Sequence, residues 1–532
     1  MKKIAYLIIS AACLLLGTSC QGYLDVVPEN AQVADDYWRT KQDVENILFG
    51  GYSYLRSEVI DHLIPWGECR AGIVYNHKSS TKLQTWQMQA TNTALCSWSN
   101  FYKIINIANT VLARADEACV NDETYSESAR NSHYTEAYFL RALSYFYLVR
   151  NFRDVPLVLE PYTDDNVEIN LPKTSEDTIV MQIKADIRAA LQTGAAKEQF
   201  STTWETKGRG TKWALLTLMA DVCLWSGDYA EVIEYADAVL NAGGASAPAF
   251  LSSPTRTSYM SIFNPGNSRE SIFEIQWNYE EDQTNDLPLL FDDEDANATY
   301  EISAPAATLF GREYVAIAGE DEDGFVTGES ARTYHAGFYP GKGLGMSSTM
   351  SKGYVWKYIG STTEDKKRTS VSYDPHFIVY RVADLILMKA EAYLLMDGIE
   401  PSEAHLQAAV ECINTLRRRA GFTEVTDSQS GLYDLDNVTA RGQEEWLEIV
   451  LRERIIEFIG EGKIWYDILR MGRSNNNRYK QELLIDQVVE YNTVTSESWL
   501  KSVLTSDNAL FLPIMSTEIE SNPKLVQNPY YK

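Results

Sequence analysis

The feature that most constrains the fold is the spacing of apolar residues, which follows the period of an α-helix along most of the 532-residue chain. Between positions 98 and 118, for example, they recur at intervals of three and four: Ile104, Ile105, Ala108, Val111 and Leu112. This spacing places them on one face of a helix. The same period predicts helices at 43–55, 98–118, 126–152, 174–193, 210–225, 228–240, 381–396, 401–420, 443–459, 463–471 and 479–491. We therefore expect a mostly α-helical fold.

Two pairs of predicted helices are joined by short turns and carry small residues, which let paired helices approach closely. The first pair flanks the turn at Ser226 and Gly227, with Ala220 before it and Ala230 and Ala236 after it. The second pair, 381–396 and 401–420, has small residues in similar places: Ala390, Ala392, Ala408 and Ala409. Small residues around a short helical turn are typical of tetratricopeptide-like hairpins.

The helical period disappears between 243 and 374, where Gly, Ser, Pro, Asp and aromatic residues accumulate. This composition predicts a long loop-rich insertion, with one short strand at 272–277, where apolar and polar residues alternate. A second loop-rich stretch covers 61–92. Loops of such length are commonly functional. The chain is therefore expected to divide into an N-terminal helical region (20–242), the insertion (243–374) and a C-terminal helical region (375–532).

The first nineteen residues resemble a signal peptide. Lys2 and Lys3 precede an apolar stretch from Ile4 to Leu16, which is too short to span a bilayer. Gly17-Thr18-Ser19-Cys20 follows, the pattern called a lipobox in bacterial lipoproteins. The sequence thus predicts that residues 1–19 are removed and that lipid is attached to Cys20. An ordinary secreted protein with a chance cysteine at this place is the alternative.

Charge and motifs exclude several classes of protein. The chain carries 47 Lys and Arg against 74 Asp and Glu, a formal net charge of −27, which disfavours nucleic-acid binding. Its seven cysteines form no CxxC pair, so a zinc ribbon and a thioredoxin motif are excluded. No HExxH, G-x-S-x-G or P-loop pattern occurs. These absences do not exclude a glycosidase, because its paired carboxylates are defined by their separation in space and not by a sequence motif.

Two charged clusters deserve separate interpretations. The acidic run from Asp292 to Asp295, with Asn297, is similar to a calcium loop, but Ala298 replaces the glycine of the sharp turn and Ala304 the final glutamate. No metal site is therefore predicted. A second cluster consists of Arg452, Glu453, Arg454, Glu457 and Glu461. Its spacing of three and four predicts ordinary ion pairs on a helix surface.

A set of short motifs, in a fixed order along nearly the whole chain, carries a family resemblance. The first half contains Tyr23-Leu24-Asp25 after Cys20, Phe139-Leu140-Arg141-Ala142, Tyr145-Phe146 and Asp154-Val155-Pro156-Leu157. The second half contains Tyr380-Arg381-Val382-Ala383-Asp384-Leu385, Arg419-Ala420-Gly421, Gly460-Glu461-Gly462, Trp465-Tyr466-Asp467, Leu512-Pro513-Ile514 and Gln527-Asn528-Pro529-Tyr530. The chain thus resembles the SusD/RagB family of outer-membrane nutrient-binding lipoproteins of Bacteroidota. It departs from the family at Arg153, where glycine is usual, and at Ile464, where arginine is usual.

The resemblance implies a SusD-like α-helical fold with four tetratricopeptide-like units, in a protein held on the outer membrane by acylated Cys20. It also implies a surface-exposed binding protein that captures glycans and passes them to a SusC-like TonB-dependent transporter. Such a protein is not an enzyme and needs no cofactor. Some members of the family bind peptides, which is the alternative here. Because ligands differ between members, the family indicates a region for the site and not its residues.

Sugar recognition needs exposed aromatic rings for stacking and polar side chains for hydroxyl groups. The two loop-rich stretches supply both, and they contain the predicted ligand-binding residues Trp66, Arg70, Tyr75, Trp86, Trp277, Tyr279 and Trp356. Further candidates nearby are Glu68, Asn76, Asn92, Asn278, Tyr300, Tyr334 and Tyr339. Each aromatic residue could instead hold its own loop in the core.

Aromatic residues at helical spacing are interpreted as core. These are Trp98, Tyr102, Trp213, Trp225, Trp446 and Trp465. Three functions remain open on these grounds: glycan capture, peptide capture in an extended cleft, and a helical scaffold that binds only protein partners.

Overall fold

Helices dominate a computed structural model of the protein, which describes residues 38–532 except 79–80, 163–169, 295–298, 320–328, 362–365 and 370–371. The predicted signal peptide and Cys20 lie outside these residues. The first helices are α1 (Lys41–Glu58), α2 (Thr93–Cys96), α3 (Ser99–Asn121), α4 (Glu127–Phe152), α5 (Glu176–Gln192), α6 (Thr203–Gly208), α7 (Lys212–Ser226) and α8 (Tyr229–Leu240).

The later helices begin inside the expected insertion and continue to the C-terminus. They are α9 (Arg256–Met260), α10 (Leu287–Phe291), α11 (Ala304–Ala318), α12 (Trp356–Ile359), α13 (Val382–Leu395), α14 (Glu403–Ala420), α15 (Gln443–Phe458), α16 (Ile464–Asn477), α17 (Asp486–Tyr491), α18 (Glu497–Leu504) and α19 (Ser516–Ser521). The prediction of a mostly helical fold is confirmed.

The described strands are short and form antiparallel pairs. These are β1 (Val74–Asn76) with β5 (Tyr300–Ile302), β2 (Val155–Pro156) with β3 (Lys173–Thr174), β4 (Ser271–Ile275) with β8 (Phe377–Arg381), and β6 (Phe338–Tyr339) with β7 (Tyr354–Val355). The strand predicted at 272–277 is thus β4. Its partner β8 lies about a hundred residues later, so this pair joins an early part of the predicted insertion to the residues that follow it.

Local sequence signals explain several helix ends. Thr40 caps α1 by accepting a hydrogen bond from the Asp43 amide, and the Asp43 carboxylate accepts one from the Thr40 amide in return. Gly227 ends α7 with φ of 80°, a conformation that glycine adopts without steric cost. The predicted start of α5 at Thr174 is displaced, because Ser175 occupies the N-cap position.

Helices that follow one another along the chain also pack together. The order of contacts runs α1, α3, α4, α5, α7, α8, α13 and then α14, with α15 against α13. The two predicted hairpins, α7–α8 and α13–α14, therefore meet through α8 and α13. One continuous apolar core includes residues from all three predicted regions. The helical tryptophans interpreted as core are buried or packed against it.

Two stretches that were expected to be loops contain regular structure. The insertion includes α11, a helix of 15 residues, because Pro305 favours its first turn and Ala306, Ala307 and Phe310 are buried on one face. The early stretch continues α1 through two π-helical turns, Val59–Leu63 and Pro65–Cys69. Their side chains are buried on several sides, so the one-sided period that marks a surface helix is missing.

The charged cluster on and just after α15 was predicted to form surface pairs, and that prediction is wrong for four of its five residues. Only Arg452 of the cluster pairs on the helix surface, with Glu448 at 3.8 Å. Glu453, Arg454, Glu457 and Glu461 are almost completely buried. Their partners lie far away in sequence and include Arg332, Arg381 and Arg419. The spacing of charges along one helix does not reveal whether another segment of the chain covers that face. The sequence pattern therefore predicted a solvent-exposed face where the structure has a buried one.

Among the described residues, none of the helices is long and apolar enough to cross a membrane. The cysteines in this part of the chain are free thiols: Cys69, Cys96, Cys119, Cys223 and Cys412.

Candidate functional site

The structure brings the two loop-rich stretches of the sequence together. Strand β1, from the early stretch, pairs with β5, from the insertion, so that Tyr75 lies opposite Glu301. Val74 and Ile302 are fully buried beside them and hold the pair on the core. Ile302 also forms a β-bridge with Gly353, which places β7 next to the pair. Polar residues of three distant segments therefore meet at one surface.

The carboxylate of Glu301 is the centre of this surface. It accepts hydrogen bonds from the hydroxyl groups of Tyr75, at 3.0 Å, and Tyr354, at 2.9 Å. The ammonium group of Lys352 lies 3.5 Å from the same carboxylate and donates to the Tyr354 hydroxyl at 3.0 Å. His77 Nδ1 lies 3.8 Å away. We call these five residues the Glu301 cluster.

Burial and the charge of Glu301 determine the protonation of the two phenols. Burial raises the pKa of Tyr75 to about 12, and the neighbouring carboxylate adds to the shift. Burial and the hydrogen bond to Glu301 also raise the pKa of Tyr354. Both phenols are therefore protonated at neutral pH and hold the carboxylate in place. Tyr75 is half-buried and His77 is exposed, so the cluster reaches the surface.

The acidic run considered for calcium lies beside this surface and contacts a lysine. The Lys367 ammonium is 2.7 Å from the carboxylates of both Asp292 and Asp293, and it lies 5.4 Å from the centre of the Tyr339 ring. The Lys342 amide donates to Asp293 at 2.6 Å. Asp295, Asn297 and Ala298 are outside the described residues. In the part of the chain that is described, no group of acidic, histidine or cysteine side chains could hold a metal ion.

Four of the seven predicted ligand-binding residues are buried. Trp66, Arg70, Trp86 and Trp356 are at most 1% exposed. Trp86 packs edge-on against Trp465, with ring centres 5.1 Å apart, and donates to the Arg70 carbonyl oxygen at 3.2 Å. These contacts join the early stretch to α16. The prediction that these four residues contact a ligand directly stays a prediction. Their burial argues against it, because a ligand at the surface does not reach a buried side chain.

The other three predicted residues lie at two places. Tyr75 belongs to the Glu301 cluster. Tyr279 is exposed, whereas the neighbouring Trp277 is almost buried, and both lie after β4 rather than at the cluster. No role was predicted from the sequence for His77, Glu301, Lys352 or Tyr354. The alternation of Tyr300, Glu301 and Ile302 is a signal for a strand with Glu301 on its outer face, but it covers only three residues.

Comparison with known proteins identifies the family. The profile described as the SusD family matches residues 269–531, and a profile described as starch-binding and associating with the outer membrane matches 22–224. A SusD-like protein of Formosa agariphila is 25% identical over 100% of both chains. A crystal structure of a SusD superfamily protein from Bacteroides thetaiotaomicron is 21% identical with a TM-score of 0.69, covering 93% of this chain and 99% of that one.

A second solved structure, of a laminarin-binding SusD-like protein, is 20% identical with a TM-score of 0.64 and covers 93% of this chain and 100% of that one. At such identity the likeness establishes a common helical fold. The two profiles account for most of the chain from residue 22 to residue 531, in the order that the sequence motifs indicated. On this evidence the chain belongs to the SusD/RagB family.

Proposed function

We propose that the protein is a non-catalytic, glycan-binding lipoprotein of the cell outer membrane, which captures oligosaccharides at the Glu301 cluster and passes them to a SusC-like TonB-dependent transporter. The observation that carries the proposal is the pairing of β1 with β5, which unites the two aromatic, polar loop regions around one carboxylate. The family profile that names starch and the outer membrane supports it, as does the similarity to a laminarin-binding protein.

The chemistry of the cluster suits sugar hydroxyl groups. Glu301 accepts hydrogen bonds, Lys352 donates them, and the exposed His77 ring has two nitrogens that can take part in hydrogen bonds. Tyr75 is half-buried, so part of its side chain is open to contact with a sugar ring. Since the phenols already orient Glu301, little ordering is needed when a ligand binds. Such a site binds and releases its ligand without covalent chemistry.

Isothermal titration of the purified protein with plant, host and microbial glycans, and with a peptide digest, tests the proposal. We expect a saturable glycan signal that weakens about tenfold in Tyr75→Ala, since the variant loses ring contact and one partner of Glu301. Tyr54→Ala is the control, because Tyr54 is an exposed tyrosine on α1 outside the cluster. Heat from peptides alone would replace the glycan proposal with peptide capture.

Attachment to the membrane is tested separately. Replacing Cys20 by serine removes the thiol that would carry lipid. We expect Cys20→Ser to move the protein from the membrane fraction to the soluble fraction of fractionated cells, and to abolish its co-purification with the transporter from membranes. Retention of the variant in the membrane fraction would contradict a lipid anchor at this residue.

A further inference from the structure

A separate cleft of about 540 Å³ lies between α1, α6, β4 and the segment that follows β4. It shares no lining residue with the Glu301 cluster. Five residues of α1 line it: Phe49, Tyr52, Ser53, Leu55 and Arg56. The spacing of three and four between Phe49, Tyr52, Ser53 and Arg56 places these four on one helix face. Its volume is in the range of small-molecule sites, which is about 300–1,000 Å³.

Large aromatic side chains are exposed at this cleft. Phe49 is 42% exposed and Trp204, in the first turn of α6, is 37% exposed. The ring of His376 contacts Trp204 edge-on, at 5.2 Å between centres, and so supports the indole from one side. Tyr279, 39% exposed, lies in sequence between the lining residues Asn278 and Glu281. Exposed rings gathered around a concave surface are typical of a binding site.

The floor of the cleft is fixed, and the one guanidinium group in it, that of Arg209, is paired with carboxylates. The Arg209 guanidinium donates to both oxygens of the Glu136 carboxylate, at 2.7 and 2.8 Å, and to Glu45 at 3.0 Å. The Tyr52 hydroxyl donates to Glu136 and accepts from the Gly210 amide at 2.8 Å. Phe273 completes the floor and is buried. Because these groups are already paired, the cleft is shaped before a ligand arrives.

Polar groups remain available around the aromatic rings. Arg56 donates one hydrogen bond, to Gln283 at 2.9 Å, and its other N–H groups have no partner among the residues described. The Gln276 amide nitrogen donates to the Trp204 carbonyl oxygen at 3.0 Å, which leaves its own carbonyl oxygen as an acceptor. The Glu281 carboxylate is exposed at the rim. Donors and acceptors thus flank surfaces suited to stacking.

These features discriminate between classes of ligand. Three carboxylates line the cleft, those of Glu205, Glu274 and Glu281, against the guanidinium groups of Arg56 and Arg209. Because this lining is not cationic overall and the chain carries a net charge of −27, anionic ligands are disfavoured. All five residues of β4 are buried, so the strand offers no open edge to which a peptide could add by backbone pairing. An uncharged, hydroxyl-rich ring satisfies both the aromatic faces and the free polar groups.

We propose that this cleft is a second saccharide site, which stacks an uncharged sugar ring on Trp204 and Phe49 and binds its hydroxyl groups through Arg56 and Gln276. The inference rests on the proposed function for the class of ligand. It differs from the proposed function in placing a second, independent site on the α1–α6 face, apart from the Glu301 cluster.

The test is isothermal titration of maltohexaose, laminarihexaose, cellohexaose, trigalacturonic acid and a tryptic peptide digest. Each probe is titrated into the wild-type protein and into the Tyr75→Ala variant. The titrations are repeated after Trp204→Ala or Phe49→Ala has been added to each of these two proteins. The matched controls are Trp499→Ala and Tyr54→Ala, since both residues are 37% exposed and neither lines the cleft. The two cleft positions and the two control positions are all exposed, so we expect these substitutions to leave the melting temperature unchanged. Thermal unfolding of each variant checks that it is folded.

We expect at least one neutral hexasaccharide to bind Tyr75→Ala, and this binding to weaken about tenfold on adding Trp204→Ala or Phe49→Ala but not with the controls. Trigalacturonic acid should bind more weakly than the neutral probes. Glycan binding that is lost in Tyr75→Ala and unaffected by the cleft variants overturns the second site and leaves the proposed function intact. Trp204-dependent binding of peptides alone overturns the saccharide class, and an absence of any glycan binding overturns both proposals.

Discussion

Glu68 shows how a single buried carboxyl group couples folding to pH. It lies in the second π-helical turn after α1 and is fully buried. Its Oε1 accepts hydrogen bonds from the amides of Gly462, at 2.7 Å, and Lys463, at 3.3 Å. Burial nevertheless raises the pKa of Glu68 to about 8, against the opposing effect of these donors. The folded protein therefore binds this proton more tightly than the unfolded chain does.

The sign of the pH dependence follows from that shift. The contribution of Glu68 to stability is complete below the unfolded pKa of 4.5 and is lost as pH rises towards about 8. Glu68→Gln cannot ionise, so between pH 5 and 8 its free energy of unfolding should improve relative to wild type by about 2 kcal/mol or more. Urea unfolding at several pH values measures the difference, and a constant difference would contradict the prediction.

Arg153, where the family usually has glycine, occupies a strained backbone conformation. Its φ is 68° and its ψ is −81°, and the Asp154 amide donates to the Phe152 carbonyl oxygen at 3.0 Å across it. This geometry is a classic γ-turn, which is rare for residues that have a Cβ atom. Glycine should relieve the strain, so the family preference has a steric cause.

We expect Arg153→Gly to be more stable than Arg153→Ala by about 1 kcal/mol, the reverse of the order usual in helices. Both variants lose the same arginine contacts, so their difference reports the backbone alone. Chemical denaturation of the two variants measures it. Equal stability, or a more stable alanine variant, would show that the turn relaxes without cost.

At the scale of elements, α15 owes its position to buried ion pairs. Glu457 accepts hydrogen bonds from Arg332, at 3.1 Å, and Arg381, at 2.6 Å, and also pairs with Arg419. These guanidinium groups hold the pKa of Glu457 well below its usual value, despite burial. The arginines belong to the insertion, the end of β8 and α14. The carboxylate therefore joins three parts of the fold to one helix.

Glu457→Gln leaves three buried arginines with one counter-charge fewer, and should lower the free energy of unfolding at pH 7 by about 3 kcal/mol or more. Glu448→Gln on the same helix is the control, with an expected change in the free energy of unfolding below about 0.5 kcal/mol. The Glu448 side chain is 45% exposed, and its ion pair with Arg452 is long, at 3.8 Å. Differential scanning calorimetry compares them.

The pH dependence gives a second readout. Because the folded pKa of Glu457 is depressed, its contribution is present above the unfolded pKa of 4.5 and is lost as pH falls. The variant should therefore lose less stability than wild type on acidification below pH 4.5. Equal acid sensitivity of the two proteins would contradict this assignment.

At the scale of the molecule, segments from opposite ends of the sequence meet at two glycines. A Cβ atom on Gly67 would lie 1.9 Å from the carbonyl oxygen of Gly462. Glu68 accepts a hydrogen bond from the amide of the same Gly462. Trp86 packs on Trp465, which follows Gly462 closely in the sequence. The part of the chain before α2 is thus fixed directly to the beginning of α16.

Gly67→Ala should destabilise the protein by about 2 kcal/mol or more, since rigid backbone must move to admit the methyl group. Gly243→Ala is the matched control, because nothing lies within 4 Å of its Cβ position. Thermal unfolding of both variants tests the prediction. A Gly67→Ala protein that melts like the control would show that this approach of the backbones is not required.

The candidate site could be predicted only in part. The two loop regions that form the Glu301 cluster, and the class of residues to seek, follow from the sequence, and Tyr75 lies where they meet. Trp86 and Trp204 show the limit. Both lie among polar residues, yet Trp86 is buried against Trp465, whereas Trp204 is exposed at a cleft. The difference depends on what packs over each ring, and no local pattern contains it.

The sequence by itself determined the helical class, the approximate limits of the long helices outside the insertion, the hairpin turn at Gly227 and the family. These depend on contacts within a few residues, namely the helical period, capping and turn conformation, or on motif order. Only the tertiary structure decided which aromatic rings are exposed, that the charges of α15 are buried, and that Tyr75 meets Glu301. Exposure and pairing arise between segments tens to hundreds of residues apart, where chain packing sets the neighbours and local sequence does not.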